Sequence, residues 1–132
     1  MEVFNYLPGE DDGRKEELHQ IDCASYIKNH RPDILMFHVA NETGTKAAVQ
    51  FVRKREAMGV MAGVADMIIL RPTTTGGYPY STVELKRPAK TARVNPNQKE
   101  FAANVDANGG LSVLCYGHLA FRRFLDKYYE SA

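Results

Sequence analysis

Cysteine is scarce. The chain holds two, Cys23 and Cys115, far apart and without CxxC or metal-site spacing. That excludes a thiolate metal centre or a redox pair and predicts two buried apolar thiols in a reducing compartment. No apolar run is long enough to span a membrane. The opening residues, with Glu2, Glu10, Asp11 and Asp12, are unlike a secretion signal, so a cytoplasmic location is expected. Charge of one sign is missing too. Seventeen Lys and Arg against sixteen Asp and Glu leave a formal net charge of +1, so any surface for a polyanion must be local. Internal repeats and low-complexity segments are absent. What is present is ordinary for a soluble protein, 44% hydrophobic and 25% charged over 132 residues, enough for one domain, 1–132, with a real core.

The most informative stretch runs from Asp66 to Lys86. Met67-Ile68-Ile69-Leu70 and Ser81-Thr82-Val83-Glu84-Leu85-Lys86 are two strand-like runs joined by turn-rich residues, including Pro72, Gly76, Gly77 and Pro79. Period-2 alternation puts Val83 and Leu85 on one face of the second strand and Thr82, Glu84 and Lys86 on the other. A neighbouring strand can bring Asp66 beside them. Two carboxylates can hold a hard divalent cation, and a lysine beside them can orient a water or neutralise charge on a phosphate. A solvated Glu-x-Lys pair is a common surface feature, and spacing alone leaves both readings open.

Residues 1 to about 13 read as a loosely held tail ending in the acidic turn Glu10-Asp11-Asp12-Gly13. A helix is expected from about Arg14 to Asn29, closed by Arg31-Pro32. Gln20, Cys23, Ala24 and Ile27 share its apolar stripe. Glu16 sits one turn before Gln20, whereas Glu17 lines up with Ile21 and Ala24; first-turn acids also complement the helix dipole. Ile34 to Val39 reads as a buried strand, with His38 either a hydrogen-bonded core histidine or a ligand. Asn41-Glu42-Thr43-Gly44 is a turn. A helix over Lys46 to Met58 follows, with Ala48, Phe51 and Val52 inward, Arg53 and Lys54 solvated, and Arg55 at the stripe's edge. Gly59 to Ala65 suggests a phosphate cradle but lacks Gly-Lys-Ser/Thr and precedes a strand. It reads as a tight loop whose small residues let backbone approach the Asp66 carboxylate or a substrate strand.

Beyond Lys86, Arg87-Pro88-Ala89-Lys90-Thr91-Ala92-Arg93 forms a basic loop. Asn95 as N-cap, Pro96 at the first helical position and Gln98 completing a capping box announce a helix with Phe101, Ala102 and Val105 buried, ended by Asn108-Gly109-Gly110. Gln98 can be a cap, a substrate contact, or both. Leu111 to Tyr116 is a buried strand, and a last helix from about His118 to Tyr129 turns Phe121, Phe124, Leu125 and Tyr128 inward. The order α-β-α-β-β-α-β-α predicts an α/β fold, a central mixed sheet flanked by helices.

Gly59 to Asp66, Val83-Glu84-Leu85-Lys86 and Asn95-Pro96-Asn97-Gln98 together resemble the VRR-NUC branch of the PD-(D/E)xK nucleases, in its stand-alone, phage- or virus-type form. The resemblance spans nearly the whole chain, with Ala65 where the family name has proline. It implies a restriction-endonuclease-like core and Mg²⁺- or Mn²⁺-dependent phosphodiester hydrolysis. Asp66, Glu84 and the Leu85 carbonyl would be metal ligands and Lys86 the catalytic lysine. The helix-one acid falls on Glu16, with Glu17 one residue away, and Gln20 and Gln98 match polar positions near the site. Arg87, Lys90, Arg93 and Lys99 are placed to hold DNA phosphates. Few base-reading features are present, so selectivity for branched DNA such as Holliday junctions is expected rather than for sequence. The resemblance also implies a homodimer, and a host-cytoplasmic location if the chain is viral. The alternative is a nucleic-acid-binding module that keeps the fold without the chemistry.

Overall fold

The computed structural model describes residues 1–40 and 49–131, and their side chains except at 49–51. Its elements are β1 (Glu2–Phe4), α1 (Glu16–His30), β2 (Met36–His38), α2 (Val49–Ala57), β3 (Met67–Ile69), β4 (Ser81–Lys86), α3 (Pro96–Ala107), β5 (Leu111–Tyr116) and α4 (His118–Tyr128). The expected succession is there, with one strand added in front. The five strands lie in the order β1-β5-β4-β3-β2. β4 and β5 are parallel, as are β5 and β1, while β3 runs antiparallel to both β4 and β2, so the sheet is mixed.

Alternation along the central strands sorts their side chains between two layers. Met67, Ile69, Val83, Leu85, Leu111, Val113 and Cys115 turn to one face, where they pack with Cys23 and Ile27 of α1 and Ala120, Phe121, Phe124 and Leu125 of α4. Complete burial of a side chain such as Phe121 or Phe124 contributes roughly 1.5–3 kcal/mol each, so α4 is the main anchor of this layer. α3 covers β4 and β5 from the other side through Ala102 and Val105. Cys23 and Cys115 are both buried free thiols, as expected.

Residues 1–13 are not a loose tail. Glu2–Phe4 adds a parallel strand to the outer edge of β5. The Phe4 ring meets Phe124 edge-on at 5.7 Å between centroids. Glu2 accepts hydrogen bonds from Lys127 (2.6 Å) and from the Tyr128 hydroxyl, and Arg123 binds Glu10 at 2.7 Å. The run from Ile34 to Val39 also departs from expectation. β2 ends the sheet, so Leu35 and Phe37 are 61% and 46% exposed, and only Ile34 is fully buried. In α1 the buried line is His19, Cys23 and Ile27; Ala24 is exposed and Gln20 lies at the rim. His19 can be buried because its Nε2 pairs with Asp12 (3.1 Å) and its Nδ1 accepts the His118 backbone N–H (3.2 Å).

In α2, Val52 is half-buried and Arg53 and Lys54 are exposed, as expected. The turn at 41–44 and the start of this helix at Lys46, with Ala48, lie outside the described residues, as does the Phe51 side chain. Among the described residues no helix is long and apolar enough to cross a membrane.

Candidate active site

The register between β3 and β4 builds the site. Met67 pairs with Val83, so the next step places Asp66 opposite Glu84. Directly opposed residues leave an antiparallel pair on the same face, with Cβ atoms about 4.5–5.5 Å apart. β3 begins at Met67, and just before it the Asp66 carboxylate continues the ladder: its Oδ2 accepts the Leu85 N–H at 2.7 Å. The N–H and C=O of one residue leave a strand on the same side, so the Leu85 carbonyl also faces the gap beyond β3. Two residues past Glu84, Lys86 returns to the same face, its Nζ 3.7 Å from Glu84 Oε1.

Glu84 is 5% exposed. Burial pushes its carboxyl well above the usual carboxylate range, the facing charge of Asp66 pushes it further, and Lys86 offsets only part of this. Glu16, at the start of α1, is raised by burial and by Asp66 and lowered by Lys86. It therefore shares the field of the Asp66–Lys86 group. Glu17 is exposed at the mouth of the cleft.

Gln98 joins α3 to this centre. The capping box forms as the sequence predicts: Asn95 Oδ1 accepts the Gln98 N–H and Gln98 Oε1 accepts the Asn95 N–H, both at 2.9 Å. With its oxygen committed to the cap, the amide nitrogen donates to Glu84 Oε1 at 2.7 Å. Cap and site contact are thus one side chain. The glycine-containing loop packs against the same helix, and Ala62, Gly63 and Val64 line the cleft beside Asp66. Gly63 has φ +78°, and a Cβ there would lie 2.3 Å from the Asn97 carbonyl oxygen and 2.8 Å from the Gln98 nitrogen. Only glycine lets the loop lie this close to the first turn of α3.

A cleft of about 460 Å³ passes Asp66, with Glu16, Gln20, His38, Arg55 and Gln98 in its walls. His38 is not in the core; it is exposed at the edge strand, and its Nδ1–H donates to the Asp66 carbonyl at 2.8 Å. That carbonyl also accepts the Val39 N–H at 2.8 Å. Only the strand order, which no local pattern in the sequence reveals, places His38 next to Asp66. Arg87, Lys90, Arg93 and Lys99 are all exposed and lie outside the cleft wall. Arg87 donates to Thr91 Oγ1 (3.2 Å), and Arg93 donates to the Lys90 carbonyl.

A mixed α/β sheet thus carries two opposed carboxylates, a lysine on the same face and a capped helix fastened to one carboxylate, and the family match places this chain in a nuclease-type family. The VRR-NUC domain profile matches residues 14–119, and the chain belongs to that family. A solved structure titled "VRR_NUC domain protein" superposes with a TM-score of 0.74, covering 90% of this chain and 91% of its own, at 22% sequence identity; this likeness establishes the fold. No curated protein matches the chain.

The donor set suits a hard divalent cation, since Asp66, Glu84 and the Leu85 carbonyl all offer oxygen atoms. Among the described residues, no three His, Cys, Asp or Glu side chains stand close enough to hold one ion.

Proposed function

We propose that the chain is a divalent-metal-dependent DNA endonuclease that hydrolyses phosphodiester bonds. The observation that carries this reading is Asp66 opposite Glu84, with Lys86 on the same face. Asp66, Glu84 and the Leu85 carbonyl would hold Mg²⁺ or Mn²⁺, which when bound polarises a phosphate and makes a coordinated water more acidic. Lys86, its ammonium beside Glu84, orients the attacking water or supports charge on the phosphate. Gln98 keeps the Glu84 carboxylate in place, and Glu16 tunes the local field. Arg87, Lys90, Arg93 and Lys99 neutralise backbone phosphates from the exposed loop and the first turn of α3. Such contacts read geometry rather than base sequence, which supports branched DNA, including Holliday junctions, as substrate. Two symmetric cuts across a junction need two such sites, so the reading includes a homodimer, checked by sedimentation at working concentration.

The decisive experiment is a panel of end-labelled four-way junctions, flaps, splayed arms and duplexes, assayed with Mg²⁺ and with Mn²⁺. Wild-type protein should cut at least one of them. Lys86→Ala should lower the rate by about 10²–10³-fold, the scale of losing one transition-state contact, with an unchanged circular dichroism spectrum. Cleavage of none by the wild type, or undiminished cutting by the variant, would leave a DNA-binding module as the better description.

A further inference from the structure

Gln20 is the one side chain among the described residues whose buried polar atom has no partner: its Nε2 is shielded from solvent and makes no hydrogen bond. Buried donors are nearly always satisfied, because an unpaired one destabilises the fold. The residue that carries it lines the cleft that runs past Asp66, one turn along α1 from Glu16. Its acceptor is therefore to be sought in what enters the cleft. We infer that Gln20 is a substrate-contacting residue whose amide donates a hydrogen bond to a non-bridging phosphate oxygen of the strand lying beside Asp66.

This assignment rests on the nuclease reading above and deepens it. A phosphate oxygen is a better acceptor here than a water, since it carries charge and is fixed to the strand. Every nucleotide presents such an oxygen, so the contact requires no base sequence. A neutral amide also suits this position better than a cation. Acidic walls would draw a lysine onto themselves, as Glu84 draws Lys86 to 3.7 Å, whereas an uncharged donor remains available for the incoming anion. The carboxylates Glu16 and Asp66 repel a phosphate, and Gln20 gives this side of the cleft a neutral attractive contact.

The test uses full-length Gln20→Met, which keeps the length and removes the amide, and Gln20→Glu, which offers only acceptor oxygens when ionised. Thermal unfolding of the metal-free proteins, DNA binding by fluorescence anisotropy and single-turnover cleavage are measured together. Cleavage substrates carry either stereoisomer of a phosphorothioate at the scissile bond. Gln20→Met should melt no lower than wild type while cutting about 10-fold or more slowly, the scale of a lost transition-state donor, and Gln20→Glu should be slower still. One phosphorothioate isomer should slow the wild type but not slow Gln20→Met any further. A lower melting temperature with unchanged cleavage, or slow cleavage with the full sulfur effect retained, would overturn the assignment and make Gln20 structural. Should the wild type cut nothing, melting and anisotropy still decide: unchanged DNA affinity in Gln20→Met sinks this contact, whatever Lys86→Ala reveals about the nuclease itself.

Discussion

Glu84 and Glu16 both hold their protons more tightly in the folded chain than in the unfolded one, Glu84 through burial and Asp66, Glu16 through burial and the same neighbour. Above the ordinary carboxylate value of 4.5 the unfolded chain has released these protons and the folded chain retains them. Unfolding then becomes easier as pH rises. Asp33, drawn down to about 2 by hydrogen bonds from Arg31 and then Arg71, has the opposite sign; its stabilisation is complete above its unfolded value and is lost on acidification. Comparison with a Glu84→Gln variant isolates the Glu84 contribution. From about pH 5 to pH 8 metal-free wild type should lose stability against the variant in urea titrations. Added Mg²⁺ or Mn²⁺ should remove most of that difference in the wild type alone, because ligation requires the deprotonated carboxylate. A constant gap across this range would show that Glu84 does not titrate there. The Glu-x-Lys pair is legible from alternation. The partnership with Asp66 is legible only as a possibility, because it depends on where a second strand begins and in what register it pairs.

At the scale of the elements, α3 is the part best announced by local chemistry, since Asn95, Pro96 and Gln98 specify its start within four residues of chain. The second bond of Gln98, to Glu84, crosses fourteen residues and cannot be read locally. α1 is harder. Leu18 and Ile21 are exposed at 41% and 60% while His19 is buried, so apolar character alone does not mark its inner face: Cys23 and Ile27 lie inward as expected, but His19 replaces Gln20 and Ala24 there. β2 is legible as a strand but not as an edge, because a continuous apolar run looks the same in the centre of a sheet. The loop before β3 supplies a direct test of how α3 supports the site. Gly63→Ala imposes a positive φ on a residue with a Cβ, costing about 1–3 kcal/mol, and presses that atom into backbone at Asn97 and Gln98. Its stability in chemical denaturation should fall by that amount, and its cleavage rate should fall further than that of an equally destabilising core variant such as Val105→Ala. Equal losses in the two would detach Gly63 from the site.

For the molecule as a whole, the added strand β1 changes what a truncation should do. A loose segment could be removed without effect. β1 instead covers the outer edge of β5 and brings Phe4 against Phe124, with Glu2 tied to Lys127. Removing residues 1–10 should cost several kcal/mol, roughly one buried aromatic plus its strand pairing, and leave β5 as a bare edge prone to self-association. Melting temperature and light scattering of the shortened chain would check both, and an unchanged melt would mean that β1 contributes nothing. Three residues with one alternation give no usable strand signal; their partner lies more than a hundred positions away. That separation has a consequence during biosynthesis. Glu2–Phe4 is synthesised well before Val113, Leu114 and Cys115, which it must join, so the nascent sheet waits with this strand unmatched until β5 has been made.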